Sequence, residues 1–126
     1  MKSTIIDERI LKKAASQFKQ TNFDDFVQIV SEVIFQETFP ESKKEDFLIY
    51  KEKKIKVIPT FNRWAVVYDK EDLDYFYFLF HEGDLVRHVG FIKKEDFFDK
   101  ATHYPEGSLD PLNNLVTKNS YYVRVL

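Results

Sequence analysis

Tyr75 to Phe80 is an unbroken apolar run, Tyr-Phe-Tyr-Phe-Leu-Phe, in a chain of 126 residues. In an extended strand Tyr75, Tyr77 and Leu79 point one way and Phe76, Phe78 and Phe80 the other. A strand that is apolar on both faces needs a packing layer on each side, so this segment belongs at the centre of a sheet. It is far shorter than the ~20 residues of a membrane helix. The length fits a single domain over residues 1–126 with a substantial buried core.

The flanking segments supply the layers. Ile6, Ile10, Ala14 and Phe18 recur every four residues and predict a first helix, capped by Ser3 or Thr4. A second helix is expected after Thr21 or Asn22, with Asp24 and Asp25 at its positive end and Pro40 as its latest stop. Phe23, Phe26, Val27, Val30, Val33, Ile34 and Phe35 form its apolar stripe. The period then becomes strand-like. Phe47–Tyr50, Ile55–Thr60, Arg63–Tyr68 and Leu85–Ile92 are expected strands, with Lys51–Lys54 a charged turn, Asp69–Asp72 a polar break and His81–Asp84 a hairpin turn. A short helix begins at Lys94 or Glu95 and carries Phe97, Phe98 and Ala101. Thr102–Lys118 reads as loop, and Tyr121–Leu126 as a last strand. The expected class is α/β (α+β): a mixed central sheet of about five strands, two N-terminal helices and one later helix.

Composition excludes several chemistries. With no Cys there is no disulfide scaffold, thiolate zinc site or cysteine nucleophile. Three glycines cannot build a phosphate-cradling loop or a nucleophile elbow. The formal net charge of -2 gives no domain-wide basic footprint. Asp7, Glu8 and Arg9 stand where a signal peptide needs an apolar run, which predicts a soluble cytoplasmic protein. His81, His88 and His103 lack the i, i+4 spacing of a helical zinc motif, and His81 and His103 read as surface imidazoles. Most carboxylates fit turns and helix starts: Glu71, Asp72 and Asp74 in one turn, Glu95 and Asp96 at a helix N-terminus. Lys51, Lys53, Lys54 and Lys56, beside Tyr50 and Phe61, form a basic cluster that can hold a phosphate backbone or simply protect a sheet edge from aggregation.

The order of elements resembles the PD-(D/E)xK, or restriction-endonuclease-like, superfamily. The likeness runs from a helix carrying Glu37 through Asp46-Phe47-Leu48-Ile49, a hairpin, and Lys54-Ile55-Lys56-Val57-Ile58-Pro59-Thr60. It continues in Asp74 to Phe80, in Leu85 to Phe97, where a strand ends in Gly-Phe-Ile before a helix opens with acid and Phe, and in Gly107 to Leu112. The resemblance implies a site where acids hold a divalent metal, which activates water, and a Lys orients the nucleophile. Asp46 falls on the first acid, and Glu37 would add a ligand from the preceding helix. The second acid, however, falls on Lys56 and the catalytic Lys on Ile58. A cation at a metal-ligand position repels the ion. A second register, Asp46, Glu52 and Lys54, restores the residue types but places them in the expected turn.

The resemblance therefore implies a nuclease-fold protein that has lost hydrolysis, needs no cofactor, and serves as a nucleic-acid- or protein-binding component. Two alternatives stand beside it. One is an active Mg2+-dependent endonuclease using Asp46, Glu52 and Lys54, with Glu37 and Asp46 on the metal. The other is a small immunity or anti-defence module whose acidic segments Asp69–Asp74 and Glu106–Asp110 meet a protein partner.

Overall fold

The computed structural model describes residues 2–18, 23–68 and 72–125. Along the chain run β1 (Ser3–Ile5), α1 (Glu8–Gln17), α2 (Phe23–Thr38), β2 (Lys43–Lys44), β3 (Leu48–Tyr50), β4 (Lys53–Thr60), β5 (Trp64–Val67), β6 (Tyr75–Glu82), β7 (Leu85–Lys93), α3 (Lys94–Lys100), β8 (Thr102–Tyr104) and β9 (Ser120–Arg124). The class is mixed α+β, as expected. The central sheet has six strands in the order β1-β7-β6-β4-β3-β2, and a second sheet has the order β5-β9-β8. The β4–β6 pair is parallel and the other pairs are antiparallel, so the large sheet is mixed. None of the described helices is long and apolar enough to cross a membrane.

The aromatic run is β6, and it divides the core in two as its alternation demands. On one face Tyr77 and Leu79 join Ile55 and Val57 of β4 beneath Ile10, Ala14, Val30, Val33, Ile34 and Phe35 of α1 and α2. On the other, Phe76, Phe78 and Ile58 pack against Ala65, Val67 and Leu73, and against Phe97 of α3. Each layer removes large apolar side chains from water, and this burial is the main driving force for the fold.

Several local expectations are corrected. Ser3 and Thr4 do not cap α1 but pair with β7 as an edge strand. The cap is Asp7, whose Oδ1 accepts from the Ile10 N–H at 2.9 Å. Phe23, expected in the stripe of α2, is 70% exposed, and the burial of that helix runs from Val27 to Phe35. The charged turn shrinks to Lys51 and Glu52, both at positive φ (50° and 66°), which are the central residues of a tight two-residue hairpin. Lys53 and Lys54 belong to β4. Lys43 and Lys44, in β2, occupy the sheet edge instead. The turn after β6 is Gly83 and Asp84 alone, and part of the expected late loop forms β8. Thr21, Asn22, Asp69 and Glu71 lie outside the described residues.

The pairing of β6 with β7 is interrupted once. The register runs Phe78↔Gly90 and then Leu79↔His88, so Val89 is an extra residue in β7. Gly90 sits at φ +124°, a conformation that side chains rarely adopt.

Candidate functional site

β3 pairs with β4 only as far as Ile55. Beyond that point, among the described residues, β4 has a backbone edge without a strand neighbour. Gln28 of α2 reaches it, and its side-chain amide donates to the Val57 carbonyl at 2.8 Å. The gap between α2, the far half of β4 and β5 is a cleft of about 520 Å³. Lys56 and Ile58 form part of one wall, and Phe61, Trp64, Tyr68 and Lys118 line the rest.

The floor is locally built. The Thr60 hydroxyl donates to the carbonyls of Asn62 (2.9 Å) and Trp64 (2.7 Å). The Asn62 side-chain oxygen accepts from the Trp64 N–H at 2.7 Å. These bonds fix the turn that presents Phe61, which is 58% exposed and lies 5.2 Å from the His81 ring. Lys118 stands 4.2 Å from the centre of the Tyr68 ring, a cation–π distance. Two lysines and three aromatic residues line this one concavity, a composition that suits a ligand combining anionic groups with flat rings.

Of the residues singled out from sequence, Lys56 lines this cleft, whereas Glu37, Asp46, Glu52 and Lys54 are not among its lining residues. Asp46 is exposed in the turn between β2 and β3. Glu52 is exposed in the β3–β4 turn. Glu37 is turned toward α1, where its carboxylate bonds the Arg9 guanidinium and lies 3.8 Å from Lys13 Nζ. The hydrogen bond from Arg9 holds that carboxyl below its ordinary range. The Lys54 N–H donates to Asp74 Oδ2 at 2.8 Å, while its ammonium is 3.5 Å from Asp72 and 5.7 Å from the Phe47 ring. Asp74 is thus a brace for β4 as well as a turn residue. Among the described residues no three His, Cys, Asp or Glu side chains gather as a metal-binding group.

The pleat of the sheet splits the basic cluster. Lys54 and Lys56 share the face of Ile58, toward the second sheet and the cleft. Lys53 shares the opposite face with Ile55, and with Lys51 it borders a shallow site at Tyr50, Tyr75 and Phe91. One sequence cluster therefore serves two surfaces.

One of the three histidines differs from expectation. His81 is 6% exposed, not a surface imidazole, and its Nε2 lies 2.9 Å from the Ser31 hydroxyl of α2. Burial pushes its pKa down to about 4. His88 is buried between Tyr77 OH (2.6 Å to Nδ1) and Thr4 Oγ1 (2.7 Å to Nε2), tying β1 to the core. Its pKa is lowered by burial and then by the nearby Lys2. His103 is exposed, as expected, and stacks on Tyr121.

The cleft itself is not legible in the sequence, because Lys118, remote in sequence from β4, comes to it through the second sheet. Its one sequence signal is the pair Phe61 and Lys56. Comparison with family models, characterised proteins and solved structures finds no match to this chain.

Proposed function

We propose that this chain is a binding component on a restriction-endonuclease-like framework that has lost hydrolysis and holds nucleic acid in the cleft beside β4. One observation carries the reading. Position 56, which the resemblance assigns to a metal-ligating acid, carries a lysine that lines the cleft, with Ile58 beside it where that family has its Lys. A lysine there attracts phosphate and repels a divalent cation. Lys118, Phe61, Trp64 and Tyr68 add a second cation and stacking surfaces. A cytoplasmic location fits this role.

The test is binding and cleavage measured together. A labelled oligonucleotide should bind with a salt-dependent affinity and survive incubation with Mg2+ or Mn2+. Lys118→Ala should weaken binding and reduce the slope of log affinity against log salt by about one. Cleavage that needs the metal and disappears in Asp46→Ala would instead establish an active endonuclease using Asp46, Glu52 and Lys54.

A second reading, a protein-interaction module of the immunity or anti-defence kind, draws on a different place. Asp110 braces the late loop, accepting from the N–H groups of Leu112 and Asn114 and from Tyr122 OH. That leaves Leu109, Leu112 and Leu115 at 55%, 48% and 65% exposure. Leu109→Ser with Leu115→Ser should abolish capture of a host protein if this loop is the interface, and leave oligonucleotide binding unchanged.

A further inference from the structure

We infer that the open end of the helix-side sheet face is a second binding surface, separate from the cleft, that takes single-stranded nucleic acid by stacking unpaired bases on Tyr50, Tyr75 and Phe91. α2 ends at Thr38 while the sheet beneath it continues. The strand registers set Tyr50 opposite Lys53, Tyr75 opposite Lys93, and Phe91 opposite Tyr77, all on the face that α2 covers further along.

The rings are organised rather than scattered. Tyr50 and Phe91 are near parallel, with 9° between planes and centroids 6.2 Å apart. Tyr75 meets Phe91 edge-on at 6.1 Å. Phe39, at the end of α2, packs on Tyr50 (4.8 Å) and Phe91 (5.4 Å), fixing the platform from behind. Phe91 nevertheless stays 41% exposed. A large aromatic held rigid from one side and open to water on the other is a stacking surface that loses little entropy on binding.

Charge selects the occupant. Lys51, Lys53 and Lys93 are exposed around these rings, with Glu52 in the same turn as the first two. Lys51 Nζ lies 5.3 Å from the Tyr50 ring centre. The tight turn at Lys51 and Glu52 sets the two lysines at one rim of the platform. Flat rings bordered by ammonium groups match a strand that alternates bases and phosphates. A duplex keeps its bases stacked inside, where these rings cannot reach them, so the surface discriminates single strands from double.

The test uses the full chain and three probes: a labelled oligothymidylate of about 15 nucleotides, a blunt duplex of the same length, and thymidine monophosphate. The single strand should bind at least about tenfold more tightly than either of the others. Phe91→Ala should weaken it about tenfold, the range expected for loss of one stacked base. Because Phe91 also packs on the core, Lys51→Ala with Lys53→Ala is the second variant. Both side chains are exposed, and their loss should lower the salt slope by about 1.4, at about 0.7 per phosphate contact on a single strand. Equal binding of strand and duplex overturns the inference, as does a monophosphate that binds as well as the strand. Loss of binding in Lys118→Ala with none in Phe91→Ala or the double lysine variant also overturns it, while leaving the cleft reading intact. If no probe binds, both readings fall together.

Discussion

The two faces of the six-stranded sheet carry nearly the same aromatic content and close in opposite ways. On one, Phe76 and Phe78 are sealed beneath α3 and the small sheet, with Phe76 5.0 Å and Phe78 5.9 Å from the Phe97 ring. On the other, Tyr77 is sealed beneath α2, but two strands away Tyr50 and, beside Tyr77, Phe91 remain in contact with water. The lysines divide in the same way. Coverage, and not residue type, therefore decides which part of this sheet is core and which is surface. A helix of 16 residues ends before the sheet does, and the remainder becomes available for binding.

Two phenylalanines set the contrast most sharply. Phe78→Ala should cost about 3–5 kcal/mol, the usual penalty for truncating a buried aromatic. Phe91→Ala should cost about 1–2 kcal/mol, because one side of its ring already meets solvent. Urea unfolding midpoints would check both, and equal losses would mean that the open face is core after all.

A smaller effect should appear with pH. In the unfolded chain the His81 imidazole takes up its proton near pH 6.5, and in the fold near 4. The unfolded state therefore binds more protons between those values, so stability is complete above about pH 6.5 and falls as pH drops toward 4. His88 is shifted the same way. The urea midpoint should fall from pH 7 to pH 5, and His81→Gln should reduce that dependence without removing it. A midpoint independent of pH in this range would show that His81 is solvated, and that the helix-side face is looser than its packing implies.

Smallest of all are the surface ion pairs. Lys54→Ala removes the contact with exposed Asp72, and Glu37→Gln removes the negative charge that Arg9 and Lys13 face. Each should cost less than about 1 kcal/mol, since exposed pairs are screened. A titration with Mg2+ should be the same for Glu37→Gln and wild type. Loss of a bound ion in that variant would return Glu37 to the metal role that the resemblance implies for it.

What can be read from sequence depends on the range of the interactions. The two-sided alternation of Tyr75 to Phe80 locates the central strand, and Glu95 and Asp96 locate the start of α3, because both are local signals. β1 is not legible. It is three residues long, and its partner begins at Leu85. The hairpin at Lys51 and Glu52 lacks the Asn-Gly or Asp-Gly that usually marks such a turn, so the charged run around it reads as a longer turn than the chain forms. His81 reads as exposed because the residues that bury it, Ser31 and Phe61, are remote in sequence. The basic cluster is visible as composition, but its division between two surfaces comes from the two-residue period of β4 and from where α2 ends.

The extra residue at Val89 acts as a parity switch. His88 and Phe91 are separated by an odd number of positions, so in an unbroken strand they would lie on opposite sides of the sheet. The bulge cancels that offset. Both side chains reach the same Tyr77, one holding its hydroxyl at 2.6 Å and the other resting 4.7 Å from its ring. Ironing the bulge flat at constant chain length would leave only one of the two facing Tyr77. The strand would then either anchor the N-terminal edge or build the stacking platform. Deleting Val89 outright keeps both on one side, because the offset and its correction vanish together.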